Sequence, residues 1–185
     1  MTDFAKAVIS YWFGELTRND WFEVNETVDQ TIRERFGALR ERLAGDPDSA
    51  FAAAETAQGA LAVLIVLDQF SRNLHRGTAE AFAADPLARD IARRAIVRGQ
   101  HLDPDLPEMA GQFFILPFEH SENLADQDWC CAFCEVIGDA MFADYAERHR
   151  VIIRRFGRFP HRNAALGRET TPEEAAFLKE PGSSF

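Results

Sequence analysis

Eight consecutive apolar residues, Ala60 to Leu67, leave no polar face for solvent in any regular conformation. The flanking sequence reads as a helix over about 57–74, and a helix that is apolar on every side is surrounded by others. The run is far too short to cross a bilayer. Its last two turns switch abruptly to Asp68, Gln69, Arg72, Asn73, His75 and Arg76. At 100° per residue, Asp68, Arg72 and His75 fall within about 60° of one another and continue the stripe of Leu61 and Ile65. Polar groups that extend a buried stripe are themselves partly buried, so they must be paired or hydrogen-bonded.

The rest of the chain supplies the covering helices. Thr2 or Asp3 can cap a helix running to about Glu15, with Tyr11, Trp12 and Phe13 near its end. Asn25 opens a second helix, in which Val28, Ile32, Phe36, Leu39 and Leu43 share one face and which Gly45-Asp46-Pro47 ends. Asp85-Pro86 reads as an N-cap followed by proline at the first helical position, with Gly99 closing that helix. Ser121 or Asp126 opens a helix to Ile137, and Met141 to Phe156 forms the next. Thr171-Pro172-Glu173-Glu174 is a capping box at the head of a short last helix. No segment alternates as a strand does. The chain of 185 residues is therefore expected to be one all-α domain of about seven to nine helices, stacked as antiparallel hairpins.

Charge and cysteine content narrow the class of protein. The net charge of −10 argues against nucleic-acid binding. Seven arginines and no acid lie between Arg148 and Arg168, a +7 segment in a chain that carries −17 elsewhere. The N-terminal residues lack the basic-then-apolar pattern of a signal peptide, and no segment spans a membrane, so a cytoplasmic protein is expected. Cys130, Cys131 and Cys134 crowd one helix without a second CxxC or HxxxH, which suits small core residues in a reducing compartment better than zinc. No motif calls for a cofactor or a resident metal.

Three polar clusters could carry function. On the helix 141–156, Phe142, Tyr145, Ala146, Ile152, Ile153 and Phe156 share a face, and His149 falls in its middle and points inward. Phe70-Ser-Arg72-Asn-Leu-His75-Arg76 is echoed by Phe156-Gly-Arg158-Phe-Pro-His161-Arg162, both reading F-x-R-x-x-H-R after a long helix. Arginine forks bind carboxylate or phosphate in two-pronged fashion, or tie helices together through carboxylates such as Asp68, Glu119 and Glu122. Pro117-Phe-Glu119-His120-Ser121-Glu122 concentrates carboxylate and imidazole, which suits an acid–base pair or a metal. Phosphate-binding glycine loops, nucleophile elbows and dinucleotide fingerprints are absent.

The stretches YWFG (11–14), LDQFSRNLHRGTAEAF (67–82), LPFEHSENLADQ (116–127) and RFGRFPHRNAALGRETTPEE (155–174) resemble the bacterial domain-of-unknown-function 924 family across essentially the whole chain. The resemblance implies a helical fold similar to tetratricopeptide-repeat proteins, with helix pairs stacked in a superhelix. It implies no activity, and the cysteine cluster lies outside the family pattern.

These features lead first to a site for a small anionic ligand, a phosphate or carboxylate. Asp68, Arg72, Asn73, Arg76, Glu119, His120, Glu122, His149, Arg158, His161, Arg162, Asn163 and Arg168 are its candidate residues. The alternatives are a tetratricopeptide-like scaffold for a protein partner and a metal-assisted enzyme using Asp68, Glu119, His120 and Glu122. Trp21 and Phe22, unassigned to any core, leave room for a homodimer.

Overall fold

A computed structural model describes residues 2–138 and 140–184, without the side chain of residue 137. All regular structure among the described residues is helical. The chain divides into two compact units, Met1–Arg76 with Glu80–Pro117, and Gly77–Ala79 with Phe118–Phe185.

The first unit begins with α1 (Asp3–Ser10), which runs on into a π-helical turn, Tyr11–Glu15. Thr2 stands at the N-cap position but makes no side-chain cap bond. The turn drives Tyr11 and Trp12 into an aromatic core with Trp21, Phe36, Phe70 and Phe113. Asn25 accepts from the N–H groups of Thr27 and Val28 and so starts α2 (Glu26–Gly45). Of the expected α2 face, Val28, Ile32, Phe36 and Leu43 are buried, whereas Leu39 stays partly exposed. Arg40 is the unexpected core member at 1% exposure, satisfied by Ser71 Oγ at 3.1 Å and by the Glu80 carboxylate at 3.2 Å.

Gly45-Asp46-Pro47 ends α2 but also begins α3 (Pro47–Ala53), because the Asp46 carboxylate accepts from Ser49 N–H at 3.2 Å. The all-apolar run forms α4 (Ala57–Leu64), every residue of which is buried except Gln58. Its start lies so close to α3 that a Cβ on Gly59 would sit 2.2 Å from the Ala53 carbonyl oxygen. The helix then widens into a π segment, Ile65–Phe70, and tightens again as α5 (Ser71–Leu74). π segments inside helices often mark functional or strained places. This one contains Asp68 and Gln69, both buried.

α6 (Asp85–Val97) corrects the sequence expectation at its head. Ala84, not Asp85, is the N-cap; Asp85 is the first helical residue and its carboxylate is turned to Arg72. A single turn, α7 (Leu116–Glu119), carries the chain from the first unit into the second.

In the second unit, α8 (Leu124–Ile137) is capped by Asn123, whose side chain accepts from Ala125 N–H at 2.8 Å. Ser121 and Asp126, the expected caps, bond instead to each other at 2.7 Å. α8 packs along α9 (Ala140–Phe156), from which Ile152 and Ile153 meet Phe159 in a small core. Tyr145, expected on the buried face, is 43% exposed. The capping box at Thr171 forms as expected and opens α10 (Pro172–Phe177).

Candidate functional site

The polar end of the buried helix is consumed within the first unit. Arg72 holds Asp85 through two parallel bonds of 3.0 Å, and its Nη1 also lies 3.0 Å from the Asp68 carboxylate. Gln69 donates to the other Asp68 oxygen at 2.5 Å. Burial alone would lower the Arg72 pKa, but the two carboxylates outweigh it and the guanidinium is held charged. One turn on, Asp29 of α2 accepts from Asn73 at 2.7 Å and from Arg76 Nε and Nη2 at 2.6 and 2.9 Å. Burial opposes the charge on Asp29, yet Arg76 and Asn73 bring its pKa below the usual carboxylate range. The first F-x-R-x-x-H-R copy thus fastens α5 to α2 and α6.

The second copy does similar work in its own unit. Arg158 grips Glu174 at 2.6 and 2.9 Å. That guanidinium, then the Thr171 N–H, hold the Glu174 carboxyl down to about 2. Arg168 grips Glu122 at 2.7 and 2.9 Å and reaches the Asn163 amide oxygen at 3.0 Å. Glu122 also accepts from Phe159 N–H at 2.8 Å, and against the cost of burial these partners keep it ionised. Asn163 joins the two pairs, with its amide nitrogen 3.3 Å from Glu174. Arg72, Arg76, Arg158 and Arg168 therefore each engage a carboxylate.

A different arrangement surrounds Glu119. This buried carboxylate lies 3.3 Å from His149 Nδ1, and the same nitrogen is 2.9 Å from the Tyr145 carbonyl. A carbonyl can only accept, so Nδ1 carries the proton and Nε2 is left as an acceptor. Burial, then the charges of His120, Arg162 and His161, push the His149 pKa down to about 3, against the opposing pull of the Tyr145 carbonyl. The His120 ring is 6.2 Å from that of His149. Phe159 stands edge-on to His149 at 5.6 Å and tilts against His161 at 5.5 Å. Arg162 lies 4.5 Å above the Phe159 ring and donates to the His120 carbonyl at 3.1 Å.

Gln127 shapes this corner and escaped the sequence reading. It is fully buried, and its amide nitrogen donates to the carbonyls of Glu119 at 2.6 Å and Ser121 at 2.7 Å, the turn that presents Glu119 and His120. Its only signal in the sequence was its place in the LPFEHSENLADQ stretch.

The cysteines belong to the buried side of α8. A hydrogen bond to Cys134, burial and nearby Glu119 raise the Cys130 pKa, and burial lifts Cys131 to about 11. Thiols held protonated are poor nucleophiles and poor metal ligands. Among the described residues, no three His, Cys, Asp or Glu side chains are arranged to hold a metal ion. The four residues considered for a metal do not form a set. Asp68 lies in the first unit with Arg72 and Gln69; in the second, Glu119 faces His149 and Glu122 faces Arg168. No helix among the described residues is long and apolar enough to cross a membrane.

Comparison with known proteins agrees with the architecture. A solved structure of a protein of unknown function from Agrobacterium tumefaciens is similar at 39% identity and a TM-score of 0.86, covering 95% of this chain and 96% of that one. No curated protein matches the chain. Residues 8–182 match the family described as bacterial protein of unknown function (DUF924), and the chain belongs to that family.

Proposed function

We propose that the second unit binds a small anionic ligand, a phosphate or carboxylate, at Arg162, His161 and His120, over the Glu119–His149 pair. One observation carries this reading: His149 faces the buried Glu119 carboxylate, its ring lies 6.2 Å from that of His120, and Phe159 packs against both His149 and His161 and lies under Arg162, so three imidazoles and a guanidinium share one corner. Arg72, Arg76, Arg158 and Arg168 form the frame, held by Asp85, Asp29, Glu174 and Glu122. Binding fits better than acid–base catalysis. A general base works best with a pKa near the operating pH, and His149, at about 3, is far below it.

The test is the thermal unfolding midpoint against inorganic phosphate and small di- and tricarboxylates. A ligand at 100 times its Kd adds about 2.7 kcal/mol of stability, a rise of about 5–10 °C in a domain of this size. His161→Ala, on a half-buried residue, should reduce that shift without lowering the unliganded midpoint, and Arg162→Lys should reduce it too. No shift with any anion, or an equal shift in both variants, rejects the site.

A protein-binding role is supported separately by α8, where Val136 is 88% and Trp129 39% exposed. Aromatic side chains of this kind are enriched in interface hot spots. Sedimentation of wild type and of Trp129→Ser tests it: a self-associating or partner-bound species lost on substitution supports the role, and an unchanged monomer rejects the homodimer.

A further inference from the structure

The first unit carries a groove between α1 and α2 that the anion site does not explain. It is an open trough of about 440 Å³ lined by Phe4 and Ala7 of α1 and by Arg35, Phe36, Leu39 and Arg42 of α2. Its charged lining residues are two arginines, in a chain whose net charge is −10. Seven residues apart, Arg35 and Arg42 lie on one side of α2, about 10 Å from each other along the axis.

The two arginines are not equivalent. Arg35 is engaged: it bonds Glu15 at 2.7 and 3.0 Å and sits over the rings of Tyr11 and Phe36 at 4.7 and 5.2 Å. Arg42 has no ion pair or side-chain hydrogen bond among the described residues. Between them the floor is Leu39, Phe36, Phe4 and Ala7. Leu39 is the residue of the α2 apolar face that the core leaves partly exposed.

We infer that this groove binds a medium-chain carboxylic acid, with its carboxylate on Arg42 and its alkyl chain along Leu39 and Phe36 toward Arg35. Charge complementarity selects an anion: Glu15 already matches Arg35, and Arg42 is the lining charge that no carboxylate meets among the described residues. One uncommitted guanidinium selects one anionic head, and the apolar floor selects a hydrocarbon body. A two-turn trough suits a free acid better than an extended peptide, which would need a longer track of backbone partners.

The test is calorimetric titration of the whole protein with octanoate, decanoate and decanol, each below its aggregation concentration. Two added methylenes should tighten decanoate over octanoate by about tenfold. Decanol should bind at least about tenfold more weakly than decanoate, for want of the charge-assisted bond to Arg42. Arg42→Gln, at an exposed position that leaves folding intact, should weaken decanoate by a similar factor and leave decanol unchanged. Leu39→Glu should abolish decanoate binding. No measurable decanoate binding, equal binding of acid and alcohol, or full affinity in Arg42→Gln overturns the proposal. His161→Ala should leave decanoate binding intact, so this site and the anion site of the second unit can fail independently.

Discussion

Arg72 and Asp85 form a two-pronged ion pair, 3.0 Å at each prong, between the polar end of the α4–α5 helix and the first turn of α6. Asp85 is buried, and Arg72 is shared with Asp68. The joint is therefore an acid–arginine–acid bridge, with neither carboxylate free to find water.

Asp85→Ala tests that bridge. Removing one member of a buried pair costs about 3–5 kcal/mol, and because Asp68 still holds Arg72 the loss should sit near the lower figure. A residue acting only as an N-cap would cost about 1 kcal/mol and the same in any background. Chemical denaturation of Asp85→Ala, Arg72→Met and the double variant separates the two. A bridge requires the Asp85 effect to shrink when Arg72 is already gone; strict additivity would mean that Asp85 acts on the first turn of α6 independently of Arg72.

His149 makes stability depend on pH in a defined window. Its folded pKa, about 3, lies below the ordinary histidine value of 6.5. Between those limits the unfolded chain binds a proton that the folded chain does not, so stability rises with pH there and falls on acidification. From pH 6.5 to 5 the loss is about 2 kcal/mol. Burial lowers His101 in the same sense, so it adds to the slope in the same window. Below about pH 4.5, loss of the ionised Asp29, Glu122 and Glu174 adds to the decline. His149→Gln, measured in a His101→Asn background, should flatten the curve between pH 5 and 6.5. If the slope is unchanged, the imidazole is not held neutral by its burial.

The same glycine-to-alanine change should have opposite effects at two places. At Gly59 a Cβ meets the Ala53 carbonyl at 2.2 Å, so Gly59→Ala must push α4 from α3 and should cost about 1–3 kcal/mol. At Gly37, within α2, a Cβ meets nothing within 4 Å, and Gly37→Ala should stabilise by about 0.5–1 kcal/mol. Paired thermal melts of the two variants check this. A neutral Gly59→Ala would mean that the α3–α4 corner relaxes freely.

What the sequence determined alone was governed by short-range geometry. Asn25 had to cap α2, because its side chain reaches N–H groups two and three residues ahead. The Thr171 capping box closes over the same span. The inward position of His149 and the burial of Asp68 followed from the pitch of a helix, which sets the direction of every side chain once a neighbouring face is known to be apolar. Even the need for Asp68 and Arg72 to be paired was readable, since charges in a core cannot stay alone.

The partners were decided only by tertiary structure. Arg76 meets Asp29 from 47 positions away, and Arg168 meets Glu122 from 46. Any of the thirty acids could have satisfied a long, flexible arginine as well, so the choice depends on which helices pack together. Asp85 lost its expected capping role because Arg72 arrives beside it, and Leu39 became the floor of a groove because α1 lies alongside without covering it. The π turns at Tyr11 and Ile65 have no local signature either. Each adds a residue to a turn whose cost is offset by the aromatic packing it allows, and that packing exists only once the helices have met.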